Sequence, residues 1–391
     1  MTSFLTSHVV LVAAALAALA SAAFVPPDST YLSYADWHTI ACLFSMLAII
    51  GALRRMGVFE TVARLAVQQF SGNRLLTAGV LVVVTALLSM VATNDVALLM
   101  MLPLAAAVLL RSQWGQLVPA VFVLQGLAAN LCGMIVPFGN PQNLYLYSYY
   151  GLYLGEFLSA MALPFAISCL FIAMATGLLC RREKAGAANS DRNDAAHAES
   201  SPRTLSIAPV AFSSVRLGIY SALFLLVTAG VFRLVPTALM TAVVLAFLLA
   251  MDRTALRQVD YPLLLTFLCF FVFAGNMARI PAVVQGIEGL MVQSGLMASA
   301  LLSQVISNVP AAVLLSHFTD GWQALLVGVN IGGAGTPVGS LASLIVLQQF
   351  LTLRRSLGVK RRQELSVSRF WKLFLGLNLI ALALLLTVCS L

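Results

Sequence analysis

The residues able to do chemistry in this chain are carboxamides and hydroxyls set at repeated spacing inside apolar stretches. Asn130, Gly133, Pro137 and Gly139 form the pattern Asn-x-x-Gly-x-x-x-Pro-x-Gly, and Asn330, Gly333, Pro337 and Gly339 repeat it. A second duplicated element, Ser89-x-x-x-Thr93-Asn94, matches Ser303-x-x-x-Ser307-Asn308. These groups bind; they do not make bonds. Amide nitrogens donate to anions, while amide and hydroxyl oxygens accept hydrogen bonds or coordinate hard cations. Pro and Gly break the helices that carry them and free backbone N–H and C=O groups. The N-terminus of the half-helix that follows then favours negative charge. In lipid, irregular backbone persists only where protein buries it or where it lines a cavity. Two breaks at matching positions of two halves therefore point to one binding site.

On this reading the substrate-binding candidates of the first half are Thr93, Asn94, Asn130, Pro137, Gly139, Asn140 and Asn143. Those of the second half are Ser307, Asn308, Asn330, Thr336, Pro337, Gly339 and Ser340. Candidates for a coupling ion are Asp95, Thr93, Asn94, Ser307, Asn308 and Ser343, with sodium as the metal that such oxygen ligands suit. The bland reading stands beside this one, because Ser, Thr, Asn and Asp are also the preferred helix N-caps. Thr93-Asn94-Asp95 can start a helix over 96–110, and Ser307-Asn308 with Pro310 can start another. Asp95 is the acid farthest from the ends of an apolar segment, and a charge at the bilayer centre costs about 2.5–3.5 kcal/mol on insertion scales. That cost marks it for carrying a proton or adding charge to a sodium site. No Lys or Arg lies mid-segment, so an anion there is held by backbone N–H groups, carboxamides and a co-bound cation.

An enzyme needs a nucleophile–base pair or metal ligands, and the chain has no HExxH, no GxSxG and no P-loop. Its six cysteines (Cys42, Cys132, Cys169, Cys180, Cys269, Cys389) lie singly, without a CxxC, and imply neither a disulfide framework nor a metal centre. No cofactor is expected beyond a sodium ion or a proton. The net charge of +8 does not suggest nucleic acid, because the basic residues sit in short loops.

The elements that must position these groups are membrane helices. Of 391 residues 61% are hydrophobic and 9% charged, against roughly 25% charged in an average soluble protein. Full spans are expected near 8–25, 36–53, 117–147, 155–180, 214–232, 235–251, 261–279, 322–347 and 370–390. The stretches 75–110 and 294–318 read as re-entrant hairpins, the first also long enough for two short spans. The segments 57–71 and 281–291 read as interfacial helices, and the polar stretch 181–213 as a disordered cytoplasmic linker. An N-terminal signal peptide ending near Ala20-Ser21-Ala22 is an alternative for the first span, although it lacks a basic n-region. With the N-terminus inside and the C-terminus periplasmic, 20 of the 22 basic residues face the cytoplasm; Arg233 and Arg279 are the others. Asp36-Trp37 and Asp260-Tyr261 then open equivalent spans on opposite sides. The fold class is thus all-α and polytopic, with nine to eleven transmembrane helices, two re-entrant hairpins and an inverted-topology repeat of residues 1–180 and 214–391.

The pieces Ala92-Thr93-Asn94-Asp95-Val96, Pro137-Phe138-Gly139-Asn140-Pro141-Gln142-Asn143, Ser303-Gln304-Val305-Ile306-Ser307-Asn308-Val309-Pro310 and Pro337-Val338-Gly339-Ser340-Leu341-Ala342-Ser343 resemble the ion transporter superfamily. That group holds citrate and divalent-anion:sodium permeases, arsenite-efflux permeases and sodium/proton antiporters. The chain is most similar to the small YbiR-like bacterial inner-membrane permeases, over nearly all of its length from Asp36. The resemblance implies two hairpins whose tips meet two unwound helices at the midplane, in a homodimer working by an elevator motion. It implies a secondary transporter of a small anion or oxyanion coupled to protons or sodium. Arsenite efflux or sodium/proton antiport using Asp95 is the alternative. The first tip, Thr93-Asn94-Asp95, departs from the Ser-Asn-Thr of sodium-coupled dicarboxylate members, and the second follows Ser307-Asn308 with Val309-Pro310.

Overall fold

In a computed structural model, residues 9–70, 72–187, 213–358, 362–363 and 365–390 are described. They form helices and connecting turns, with no strand among them. The first half comprises α1 (Val9–Ala22), α2 (Trp37–Arg55), α3 (Val58–Gln68), α4 (Arg74–Ala92), α5 (Asn94–Arg111), α6 (Val118–Gly133), α7 (Pro141–Tyr149) and α8 (Leu154–Ala187). The second comprises α9 (Ser214–Val231), α10 (Thr237–Met251), α11 (Arg253–Arg257), α12 (Tyr261–Met277), α13 (Pro281–Ile306), α14 (Asn308–Leu315), α15 (Trp322–Ile331), α16 (Leu341–Ser356) and α17 (Val367–Cys389). Eight candidate spans meet the length and apolarity needed to cross a membrane, both arms of the first hairpin among them. α6 is one of the eight, and α1, α10, α12 and α15 are shorter apolar helices. The chain is a polytopic membrane protein, as its composition implies.

Local chemistry sets the boundaries. Asp36 caps α2 by accepting the Thr39 N–H at 3.1 Å, and Asp260 caps α12 through the Leu263 N–H at 3.0 Å. α3 buries Phe59, Ala63 and Val67, one face at four-residue spacing, as an interfacial helix should. The stretches read from sequence as the second interfacial segment and the start of the second hairpin are two helical pieces of α13, separated by a kink at Ser294 (φ −156°, ψ 49°). α8 continues to Ala187, past the expected start of the linker at 181, and most of that linker lies outside the described residues.

Arginines mark one end of the helix bundle: Arg54 and Arg55 close α2, Arg111 closes α5, Arg354 and Arg355 close α16, and Arg74 opens α4 over the ring of Trp114, 5.8 Å away. α6 starts at this basic end, whereas α15 starts at the other. There the Tyr150 hydroxyl at the end of α7 donates to the Thr319 carbonyl just before α15, at 2.8 Å. The two broken helices therefore run in opposite directions.

Their lengths fix the depth of the breaks. α6 and α16, on the basic side, have 16 residues each, about 24 Å at 1.5 Å per residue; α7 and α15 have 9 and 10, about 14 and 15 Å. Half of a hydrocarbon core of about 30 Å is about 15 Å. With the short legs flush with one boundary, both breaks fall near the midplane, and α16 carries Arg354 and Arg355 beyond the core on the other side. The hairpins match: α4 and α5 have 19 and 18 residues, while α14, entering from the other end, has 8.

Two packing groups result. α1, α2, α9, α10 and α12 pack on one another; the hairpins pack on the broken helices, α4 also on α8, and α17 packs on α6, α8 and α15, while α12 meets α14 where the groups touch. α6 is the central post of the second group. Fifteen of its 16 residues are buried, against α4, α5, α8, α16 and α17. α15 meets α13 through Gly328 and Gly332, where an added Cβ would lie 2.7 Å from the Leu296 carbonyl oxygen and 2.8 Å from that of Ala300. This is the small-xxx-small contact that lets membrane helices approach closely.

Candidate functional site

Each hairpin turns on one residue held in an unusual conformation. Thr93 has φ 67° and ψ 154°; Ser307 has φ 75° and ψ 155°. That region of backbone space is close to glycine-only, and a non-glycine residue there is held against about 1–3 kcal/mol of strain. The hairpin tips are thus the same structure built twice. Neither side chain caps the helix that follows, although Thr93 and Ser307 occupy its N-cap position. The capping alternative is not realised at these two residues, and the Thr93 hydroxyl, in a residue only 7% exposed, is not used for it.

The tips dock on the breaks through equivalent bonds. The Asn94 N–H donates to the Gly139 carbonyl at 3.2 Å, and the Asn308 N–H donates to the Gly339 carbonyl at 3.0 Å. The first break is then laced by carboxamides: Asn140 donates to the Asn130 carbonyl at 3.4 Å, and Asn143 donates to the Met134 carbonyl at 3.1 Å. A further strand of this network joins the halves. Asn330 donates to Asn143 Oδ1 at 2.6 Å and accepts from Gln142 at 3.3 Å, while an added Cβ at Gly333 would overlap the Asn130 carboxamide. Thr93, Asn94, Asn130, Gly139, Asn140, Asn143, Asn308, Asn330 and Gly339 therefore belong to one connected region, although the two halves they come from are about 200 residues apart in sequence.

The two breaks differ in what they leave unmet. Asn130 Oδ1 and Asn140 Oδ1 are buried with no hydrogen-bond partner among the described residues. Buried carboxamide oxygens ordinarily find a donor, and an unmet one calls for a water, an ion or a ligand. At the second break the corresponding groups are engaged. Ser340 accepts the Ser343 N–H at 3.2 Å and donates to the Ser343 hydroxyl at 3.1 Å, so this pair caps α16. Thr336 donates its hydroxyl to the Gln304 carbonyl at 3.1 Å. Thr336, Ser340 and Ser343, read from sequence as ligands, are thus engaged in bonds within the fold. Pro137 and Pro337 shape the breaks without contributing a polar side chain, and the neighbouring Phe138 packs edge-on against Phe224 and Phe232 of the other group.

Asp95 stands apart from this lacework. Its N–H donates to Asn94 Oδ1 at 2.9 Å, and its own Oδ1 is buried without a partner among the described residues. The charge that bears on it is the Asp260 carboxylate at the start of α12, in the other packing group. No Lys or Arg occurs in the tips or breaks. An anion bound here meets N–H groups, hydroxyls and carboxamides.

Two residues in the network carried no role in the sequence reading, Gln142 and Gln304. The signal that could have found them was their type: a carboxamide amid the apolar residues of a membrane hairpin or broken helix is costly unless it has partners. Gln304 has them. Its Nε2 donates to the Gly332 carbonyl at 2.6 Å and the Ala334 carbonyl at 3.0 Å, and its Oε1 accepts the Thr336 N–H at 2.7 Å.

Residues 1–326 match the citrate transporter family. The inner membrane protein YbiR of Escherichia coli K12 is 32% identical over 83% of this chain and 83% of its own. An uncharacterized transporter of Methanocaldococcus jannaschii is 31% identical over 80% of this chain and 81% of its own. One of Mycobacterium tuberculosis is 29% identical over 94% and 88%. With two hairpin tips seated on two broken helices, the chain belongs to the citrate transporter family and is a multi-span membrane transporter.

Proposed function

We propose that the protein is a secondary active transporter moving a small, carboxylate-like anion across the bacterial inner membrane, coupled to sodium or protons. The observation that carries this is the duplicated tip-on-break contact, Asn94 to Gly139 and Asn308 to Gly339, which seats the hydroxyl-bearing tips Thr93 and Ser307 on the two broken helices. Such a region holds an anion by dipoles and carboxamides, without a fixed positive charge. A cation supplies that charge during transport. The residues fit one: Asn130 Oδ1 and Asn140 Oδ1 are hard oxygen acceptors, buried and unmet at the first break. The family's name adds weight to a carboxylate as cargo.

The two packing groups support alternating access of elevator type. In that motion the hairpins and broken helices slide against α1, α2, α9, α10 and α12. The surfaces that would slide include Tyr145 on Phe271, ring centroids 5.4 Å apart, and the Arg233 guanidinium donating to the Ser148 carbonyl at 2.6 Å. The opposed directions of α6 and α15 support an inverted repeat. The arginine count supports a cytoplasmic N-terminus and a periplasmic C-terminus, and the family resemblance supports a homodimer. Asp95, buried with an unmet oxygen and facing the charge of Asp260, favours a second reading in which it carries a proton in efflux or antiport.

A thermal-shift panel on the purified protein tests the substrate class. A ligand at 100 times its Kd stabilises by about 2.7 kcal/mol. The proposal expects such a shift from at least one mono-, di- or tricarboxylate, enhanced by sodium or by low pH. Shifts from arsenite or sodium alone, with none from any carboxylate, would favour the second reading.

A further inference from the structure

The two breaks have the same backbone contact to their hairpin, but only the second is filled by a side chain from that hairpin. Gln304, one residue after Ser303, directs its carboxamide into it. Nε2 donates to the carbonyls of Gly332 and Ala334 at 2.6 and 3.0 Å and lies 3.2 Å from the Ala300 carbonyl, while Oε1 accepts the Thr336 N–H at 2.7 Å. The break is shaped around this group. Gly335 has φ 120°, and an added Cβ there would overlap Gln304 Oε1; at Gly339 it would approach the same atom to 3.2 Å. In the first half the aligned residue is Met90, and Ile135 and Val136 stand where the second half has Gly335 and Thr336. The first break is bridged instead by Asn140 and Asn143 of its own broken helix, and among the described residues it keeps two unmet oxygens where the second keeps none.

We infer that Gln304 is a built-in substitute for a cation at the second break, so that a cation can bind only at the first. The carbonyl oxygens of Gly332 and Ala334 converge as they would on a dehydrated monovalent ion, and the –NH2 of Gln304 satisfies them with two partially positive hydrogens. With those oxygens bonded and the space occupied, an ion gains nothing by entering. One half of the duplicated site has thereby lost its ion requirement while keeping its backbone. The inference rests on the transporter reading, because only there does the number of ions bound set the coupling ratio.

The test counts sodium ions bound per chain by equilibrium dialysis with radioactive sodium, on purified wild type and Gln304→Glu. Glu is close to isosteric and places an oxygen where Nε2 now donates, so the carbonyls need a cation again. The inference expects no more than one sodium per wild-type chain and one more in Gln304→Glu. Gln304→Ala, which empties the space, should also gain one and serves where the Glu variant does not fold. Two sodium ions in wild type, or equal counts in wild type and both folded variants, would overturn it. Wild type that transports nothing in proteoliposomes, with the difference of one ion intact, overturns the transporter reading and leaves the filled second break standing.

Discussion

Replacing Thr93 by Gly separates strain from function at the first hairpin tip. Thr93 sits at φ 67°, ψ 154°, where a side chain costs about 1–3 kcal/mol and glycine sits freely. Glycine returns about 0.5–1 kcal/mol of that gain through the greater freedom of its unfolded chain. The net expectation is a stabilisation of about 0.5–2 kcal/mol. One kcal/mol moves the midpoint by about 2–4 °C in a domain of 150–250 residues and by less in a longer chain, so the rise in detergent should be a few degrees at most. Transport should change the other way. The hydroxyl is not spent on capping, and a lost ligand hydrogen bond of about 0.5–1.5 kcal/mol weakens apparent affinity roughly 2- to 10-fold. Thr93→Ser keeps both strain and hydroxyl and should behave as wild type; Thr93→Ala keeps the strain and loses only transport. Ser307→Gly should reproduce the pattern, since φ 75° and ψ 155° are the same conformation. Thermal unfolding followed by tryptophan fluorescence, paired with uptake in vesicles, reads both effects. A Thr93→Gly protein that is less stable than wild type, or more stable with undiminished uptake, would refute the claim that the strain is kept for the hydroxyl.

Gly139→Ala places a Cβ into the Gly133 carbonyl oxygen, so the first break should not form and the detergent-solubilised yield should collapse; normal yield and uptake would count against the described geometry. Burial works to raise the pKa of Asp252, but the bonds it accepts from Tyr220, Arg55 and the Ala255 N–H outweigh this and hold it below the ordinary carboxylate value. A folded pKa below the unfolded value of about 3.9 means this stability is complete above about pH 4 and is lost as pH falls through the folded pKa. Midpoints measured from pH 7 to 3 should therefore fall less steeply on the acid side in Asp252→Asn, from a lower starting value; identical acid limbs would remove Asp252 from the account. Cys132 and Cys169, with Sγ atoms 3.8 Å apart, place α6 against α8. Dissolved oxygen with copper phenanthroline as catalyst, taking up the two electrons and two protons that the two thiols release, should join them, with two thiols lost to maleimide counting in denatured wild type and none in Cys132→Ser; no loss in wild type would separate those helices.

How much of this was legible in the sequence varies with the kind of signal. The breaks were legible because Asn, Gly and Pro at the same spacing in two apolar stretches are incompatible with two continuous helices. Both positions are the non-helical turns between α6 and α7 and between α15 and α16. The helix pairs at 75–110 and 294–318 were legible from the lengths of their apolar stretches, and both arms of the first are long enough to span. Which hydroxyls stay free was not. Thr93 and Ser340 are the same kind of residue in sequence, yet Ser340 caps its helix while Thr93 is pinned in a conformation where it cannot. That difference lies in φ and ψ, which composition does not record. The asymmetry of the breaks was hidden for a related reason. Gln304 lies about 30 residues before the carbonyls it satisfies, and only the docking of hairpin on break brings them together. The kink between the two pieces of α13, by contrast, falls on Ser294, where the apolar stretch read as the second hairpin begins.

Uptake of labelled carboxylates into proteoliposomes under an imposed sodium or proton gradient asks whether the joined tips and breaks move an anion on an ion gradient. Wild type should accumulate at least one small carboxylate above equilibrium, lose it when the gradient is collapsed, and lose the accumulation in a folded Asn130→Ala variant, whose unmet oxygen at the first break is gone. No gradient-driven accumulation of any carboxylate by wild type, or full accumulation by Asn130→Ala, would contradict the account.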